Sequence, residues 1–162
     1  MDVDGTLTDG KIYMGVDGEV LKTFNIKDGY GIHDILPKIG ITPIIITGRK
    51  SQIVLNRCRE LAIQDVFQGV DNKCKVLLDY LHERGALLSQ VAYIGDDLND
   101  IECMKMIHDD GGITAAPFDA EPSVCHIVNY VSRYKGGEGA VRDFINWIVE
   151  ENYPFYESGS NR

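Results

Sequence analysis

The chain has 162 residues, is 44% hydrophobic and carries a net charge of −9. Its length suits one compact domain, and its apolar content supports a buried core and excludes a disordered chain. The acidic balance argues against nucleic acid, which needs clustered Lys and Arg, and no apolar run is long enough to span a bilayer.

The chain opens on Asp2-Val3-Asp4-Gly5-Thr6-Leu7-Thr8-Asp9. Side chains alternate along an extended segment, so residues i and i+2 point the same way. Asp2 and Asp4 are therefore expected together at the mouth of a sheet, with Gly5 allowing a sharp turn. Lys11–Met14 and Glu19–Phe24 flank Gly15-Val16-Asp17-Gly18, which predicts a β-hairpin over 11–24 with a four-residue loop. Ile32, Ile35, Leu36 and Ile39 form a helical stripe closed by Gly40. Pro43–Ile46 is a short β-branched run ending in Thr47-Gly48-Arg49, as expected of a buried parallel strand.

A helix carrying Val54, Cys58 and Leu61 follows, then another over about 73–84 with Leu77, Tyr80 and Leu81. Val91–Ile94 is the next predicted strand and runs into Gly95-Asp96-Asp97-Leu98-Asn99-Asp100. Later strands are expected at 113–116 and 126–128, and an amphipathic helix through Val141, Phe144, Ile145 and Ile148 closes the chain. The alternation implies an α/β fold, a doubly wound, Rossmann-like parallel sheet with a β-hairpin insertion. Residues 1–152 are read as one domain and 153–162 as a tail, whose Tyr153, Phe155 and Tyr156 either dock on a neighbour or stay loose.

In open α/β sheets ligands bind beyond the carboxyl ends of the strands. Asp2/Asp4, Thr47-Gly48, the loop before Lys73, and Gly95–Asp100 all fall there. Such a set suits phosphoryl transfer. Asp is a covalent nucleophile toward phosphorus, paired carboxylates hold Mg²⁺, and a lysine and a threonine can steady the transferring group. Each cluster alone has a bland reading, and the acidic run could be a solvated turn capping a helix. The four cysteines form no CxxC pair, which suits reduced thiols in a cytosolic protein. His33, His82, His108 and His126 lack metal-ligand spacing.

The ordered motifs Asp2-x-Asp4-Gly5-Thr6-Leu7-Thr8-Asp9-Gly10, Thr47-Gly48-Arg49, Gln68-Gly69 with Lys73, and Gly95-Asp96-Asp97-Leu98-Asn99-Asp100 resemble those of the haloacid dehalogenase superfamily. The hairpin in place of a cap domain, Ala92–Asp97 and the late Gly136-Gly137-Glu138-Gly139-Ala140-Val141-Arg142 narrow the resemblance. They are similar to the capless branch that includes 3-deoxy-D-manno-octulosonate (KDO) 8-phosphate phosphatases. The branch also holds nonulosonate 9-phosphate phosphatases and phosphatase-like domains of acylneuraminate cytidylyltransferases.

The resemblance implies Asp2 as nucleophile and Asp4 as acid and base. It implies Mg²⁺ on the Asp2 carboxylate, the Asp4 carbonyl and Asp96, with Thr47 and Lys73 on the phosphate. Asp97, Asn99 and Asp100 would support the metal waters or Lys73. Gly48 and Arg49 would lie near the substrate. Some nonulosonate phosphatases carry Glu at the Arg49 position, so Arg49 leans toward the eight-carbon substrate. Lys27, Asp28, Gly29, Lys135 and Arg142 line the pocket or a neighbour's; Gly136, Gly137 and Gly139 either share that role or cap the last helix. The expected protein is a cytoplasmic Mg²⁺-dependent phosphatase of a small sugar-acid phosphate, a homotetramer through its hairpin. An idle assembly module of a cytidylyltransferase is the alternative of another class. Relatives place a hydrophobic strand before the first motif where this sequence has only Met1, so a further strand ahead of Asp2 is expected in the native protein.

Overall fold

The computed structural model describes residues 1–153. Five parallel strands form two groups, with the amino-terminal segment between them. β3 (Ile44–Thr47) pairs with β4 (Asp65–Gln68), and β6 (Ile113–Ala116) lies between β5 (Ala92–Ile94) and β7 (Tyr130–Val131). Met1 donates to Ile44 O at 2.9 Å and accepts from Ile46 N at 3.1 Å, while Asp2 N donates to Ile94 O at 3.0 Å. Those three bonds join the groups into one sheet in the order β4-β3-(1–2)-β5-β6-β7. Beneath Met1 the strands part around an apolar cavity of about 60 Å³ lined by Ile44, Ala92, Phe144 and Ile148.

Period-two alternation sorts the core. Ile45 and Ile94 face one side of the sheet, against Val54 and Cys58 of α2 (Gln52–Glu60) and Phe144 and Ile148 of α6 (Ala140–Asn152). Ile46 and Tyr93 face the other side, against Leu77 and Leu81 of α3 (Lys73–Arg84) and Met104 and Ile107 of α4 (Ile101–Asp109). Helices on both faces make the sheet doubly wound, as expected. Full burial of one such aliphatic side chain contributes roughly 1.5–3 kcal/mol.

The hairpin forms from β1 (Tyr13–Gly15) and β2 (Gly18–Leu21), antiparallel and apart from the main sheet. Its turn is two residues, Val16-Asp17, because Gly15 and Gly18 are paired in the ladder, not placed in the loop. The stripe through Ile32–Ile39 is not one regular helix. α1 (Ile26–Tyr30) widens into a π turn over Gly31–Ile35 and tightens to 3₁₀ over Leu36–Ile39. Pro37 has no N–H to continue the ladder, which accounts for the break.

Three further segments differ from the sequence reading. β4 and α4 form where no element was singled out. The strand expected at 126–128 starts later, because Pro122 opens a helical turn, α5 (Pro122–Cys125), and His126 N and Ile127 N complete it. Of the tail, Tyr153 packs partly buried on the core; the readings for Phe155 and Tyr156 fall outside the described residues.

Candidate active site

The site lies at the carboxyl end of the sheet, as the topology requires. Asp2 stands where the central segment leaves the ladder. Val3 O then accepts from Thr6 N, Leu7 N and Thr8 N, which winds the chain into a tight turn. Gly5 makes that turn possible. Its φ is +88°, and a Cβ there would stand 1.9 Å from Asp96 Oδ2. Gly136 closes on the same turn, where a Cβ would meet Gly5 O at 1.8 Å, and Gly137 N donates to Thr6 O at 3.1 Å. The late glycines thus let a second loop press on the first; Gly139 caps α6 at φ +111°.

Lys73, the first residue of α3, sits buried between two carboxylates. Its ammonium donates to Asp100 Oδ1 at 2.7 Å and lies 3.1 Å from Asp2 Oδ1. The latter contact lacks hydrogen-bond alignment, so Asp2 Oδ1 is a buried oxygen with no hydrogen-bond partner. Asp100 is fully used. Its Oδ1 also accepts from Tyr93 OH at 2.6 Å, and its Oδ2 accepts from Asp96 N at 3.1 Å and Asp97 N at 3.3 Å. Thr6 Oγ1 holds Asp96 Oδ1 at 2.9 Å.

The electrostatics follow from this crowding. Burial, with nearby Asp2, Asp100 and Asp97, pushes Asp96 up to about 7, although the Thr6 hydroxyl opposes the shift. Burial also raises Asp2, against the pull of Lys73. For Lys73 burial works downward, yet Asp2 and Asp100 outweigh it and hold the ammonium above its ordinary value.

Asp2, Asp96 and Asp100 each offer an oxygen within 4.8 Å of the others. Such a donor set suits a hard cation that keeps several waters. Asp2 Oδ1, which faces only the Lys73 ammonium and accepts no hydrogen bond, and the second Asp96 oxygen are available to it, whereas Asp100 spends both oxygens on four bonds. Asp100 therefore fits the expected part of steadying Lys73.

Thr47 closes β3, buried, next to the Met1–Asp2 segment. Gly48 and Arg49 follow it, exposed. Asp97 points outward and caps the 3₁₀ turn Leu98–Asp100 by accepting from Leu98 N at 2.7 Å; Asn99 is exposed on that turn. Asp4 behaves differently from Asp2. It stands on the turn, and its carboxylate pairs with Lys22 from the hairpin and faces Arg49 Nε at 3.8 Å. The two aspartates thus enter separate charge networks, because the backbone turns between them and the strand alternation no longer applies. Lys27 and Arg142 line a different cleft, with Arg133 and Tyr134. Asp28 is buried beneath it and accepts from Arg142 N at 2.7 Å, and Lys135 is exposed. Sequence reasoning missed Thr6, Glu19, Lys22 and Tyr93. Thr6 lies inside the first motif and Tyr93 inside Ala92–Asp97, so both were within reach; nothing local marks Glu19 or Lys22.

No family model matches the chain. The KDO 8-phosphate phosphatase of Escherichia coli K12 is 45% identical over 149 residues, covering 92% of this chain and 77% of that protein. The chain belongs to the KDO 8-phosphate phosphatase family. Solved members share its fold. The Yersinia pestis phosphatase superposes with a TM-score of 0.84 at 41% identity, covering 92% of this chain and 78% of its own. The Moraxella catarrhalis phosphatase, solved with magnesium, phosphate and KDO, gives 0.85 at 36% identity, covering 92% and 83%. A haloacid dehalogenase superfamily hydrolase of Legionella pneumophila gives 0.84 at 32% identity, covering 92% and 79%. The superfamily, the branch and the α/β fold expected from the motifs therefore hold, and the family is one of enzymes that hydrolyse phosphoric monoesters.

Proposed function

We propose that this chain, a single domain over residues 1–152, is a Mg²⁺-dependent phosphomonoesterase acting on KDO 8-phosphate. The observation that carries the reading is the buried set Asp2, Lys73, Asp96 and Asp100, with one Asp2 oxygen left without a hydrogen bond. In this reading the Asp2 carboxylate attacks phosphorus and the bond from phosphorus to the sugar oxygen breaks. Asp4 gives a proton to that oxygen, then takes one from the water that hydrolyses the aspartyl-phosphate. Lys73 and Thr47, with the backbone at Gly48, steady the phosphoryl oxygens. Mg²⁺, held by Asp2, Asp96 and the Asp4 carbonyl, would offset charge on the phosphate. The magnesium and phosphate carried by the Moraxella relative support this assignment.

KDO bound to that relative and the guanidinium of Arg49 near the mouth favour an eight-carbon sugar acid over a nonulosonate 9-phosphate. An idle assembly module would have little reason to keep a buried Asp–Lys–Asp arrangement intact. Hydrolysis of p-nitrophenyl phosphate with and without Mg²⁺ tests the reaction. Asp2→Asn is expected to lower kcat by about 10³-fold or more, and an unchanged rate overturns the reading. A kcat/KM panel of KDO 8-phosphate and nonulosonate 9-phosphates tests the substrate.

The hairpin exposes Met14, Val16, Val20 and Leu21, and two strands alone are marginal in water. This supports a homotetramer assembled through it; light scattering that shows a monomer at micromolar concentration overturns that assignment. The cytoplasm is the proposed location, supported by four free cysteines. No helix among the described residues is long and apolar enough to cross a membrane.

A further inference from the structure

We propose that Lys22 of the hairpin is a positioning residue for Asp4, so that the hairpin supplies part of the catalytic geometry of its own subunit. The proposal rests on Asp4 serving as acid and base in the reading above. Lys22 directly follows β2, and its side chain has no exposed surface. Its ammonium pairs with Asp4 Oδ1 and lies 2.9 Å from Glu19 Oε1. Arg49 approaches from the loop after β3, with Nε 3.8 Å from Asp4 Oδ2 and an N–H donating to Glu19 Oε1 at 3.3 Å. Ser51 Oγ closes the group by donating to Glu19 Oε2 at 2.6 Å.

The arrangement has a definite logic. Asp4 lies on a turn beyond the sheet ladder, so no strand neighbour aims its side chain. Lys22, bonded to one of its oxygens, does so instead, with the Arg49 guanidinium 3.8 Å from the other. A buried ammonium stripped of carboxylates is costly, so Lys22 must always keep a partner. Glu19, from its own hairpin strand, is the partner that stays. Asp4, one-fifth exposed and from a different segment, is the partner that can turn toward a substrate without stranding Lys22. The bland alternative is that Lys22 only staples the hairpin to the body, and the two roles separate experimentally.

The test is a double-variant cycle on the full chain with Mg²⁺ and p-nitrophenyl phosphate, read both as the initial burst of p-nitrophenolate and as steady-state kcat, because a good leaving group relieves the acid step while Asp4→Asn still slows hydrolysis of the aspartyl-phosphate. Lys22→Met is expected to lower kcat by about 10- to 100-fold, with KM changed less than about threefold. In an Asp4→Asn background the same change is expected to cost less than about twofold, because Lys22 acts through Asp4. Lys22→Arg keeps a cation in the pocket and should restore part of kcat. It runs through the same cycle, so a folded variant is in hand if Lys22→Met unfolds. Equal losses in both backgrounds, or a lower Tm with unchanged kcat, overturn the proposal and leave Lys22 a staple. A fully active Asp4→Asn parent overturns the acid–base assignment itself, and the proposal with it, which is a distinct result.

Discussion

Two lysines in this molecule each bridge two carboxylates, and they sit in different regions. At the mouth of the sheet, Lys73 lies between Asp2 and Asp100, all three buried. At the hairpin, Lys22 lies between Asp4 and Glu19, with Arg49 and Ser51 alongside. The mouth network is built from the ends of the central segment, of the loop after β5 and of α3, elements fixed by the sheet and its two cores. The hairpin network joins a two-stranded excursion to a turn, with no core of its own. One three-residue motif, Asp2-Val3-Asp4, thus feeds the fully buried mouth network with one aspartate and the partly exposed hairpin network with the other. In the proposed reaction, that division would suit Asp2 as the nucleophile held at the mouth and Asp4 as the acid–base group on the turn.

Several changes would break or sharpen the contrast. The largest structural effect is expected at the mouth. Lys73→Met leaves the Asp2 and Asp100 carboxylates buried without their cation, which should cost roughly 3–5 kcal/mol, read as a lower denaturant midpoint. A loss no greater than that of Lys22→Met would erase the distinction between the two networks.

The next effect is electrostatic. Asp96 sits at about 7 and Asp28 at about 6 in the fold, against an ordinary 3.8. A carboxyl raised on folding stabilises most below its unfolded value and loses that contribution as pH rises through its folded value. The Tm in EDTA should therefore fall as pH rises from about 4 to 7. Saturating Mg²⁺ should flatten the Asp96 part, since the cation takes the proton's place, and its affinity should grow as pH rises through 7. Asp96→Asn should reduce that growth and leave the slopes that belong to Asp28 and Asp2. Calorimetry at several pH values, with and without Mg²⁺, checks both, and a flat EDTA profile sinks the assignment.

Smaller effects belong to the periphery. Ser51→Ala removes one hydrogen bond to Glu19 and should cost about 1 kcal/mol. Lys75 and Asp79 form an exposed pair one turn apart on α3. Lys75→Ala should change stability by less than about 0.5 kcal/mol, and serves as the baseline against which the two buried lysines are judged.

Much of the site was legible before folding, because its chemistry is carried at the ends of short apolar runs. Ile44–Ile46 ends in Thr47, and Ala92–Ile94 ends in Gly95-Asp96, so strand assignment alone delivers those residues to one edge. β4 was hidden because Asp65 and Gln68 bracket only two apolar residues, and both ends are spent on side-chain bonds to Tyr80, Arg84 and Ser51. The shifted β7 was hidden by an apolar pair, Ile127-Val128, that packs on the core from a turn.

The sequence by itself determined the family, the doubly wound order of the elements and the identity of the mouth residues. These depend on local period and on motifs whose members need no knowledge of one another's distance. Only the tertiary structure decided that Asp2 and Asp4 part company, that Asp100 spends itself on Lys73 and Tyr93, and that Lys22 is buried against the turn that carries Asp4. Each of those outcomes is set by which long-range partner a charge finds when water is excluded, and residue spacing along the chain carries no record of that choice.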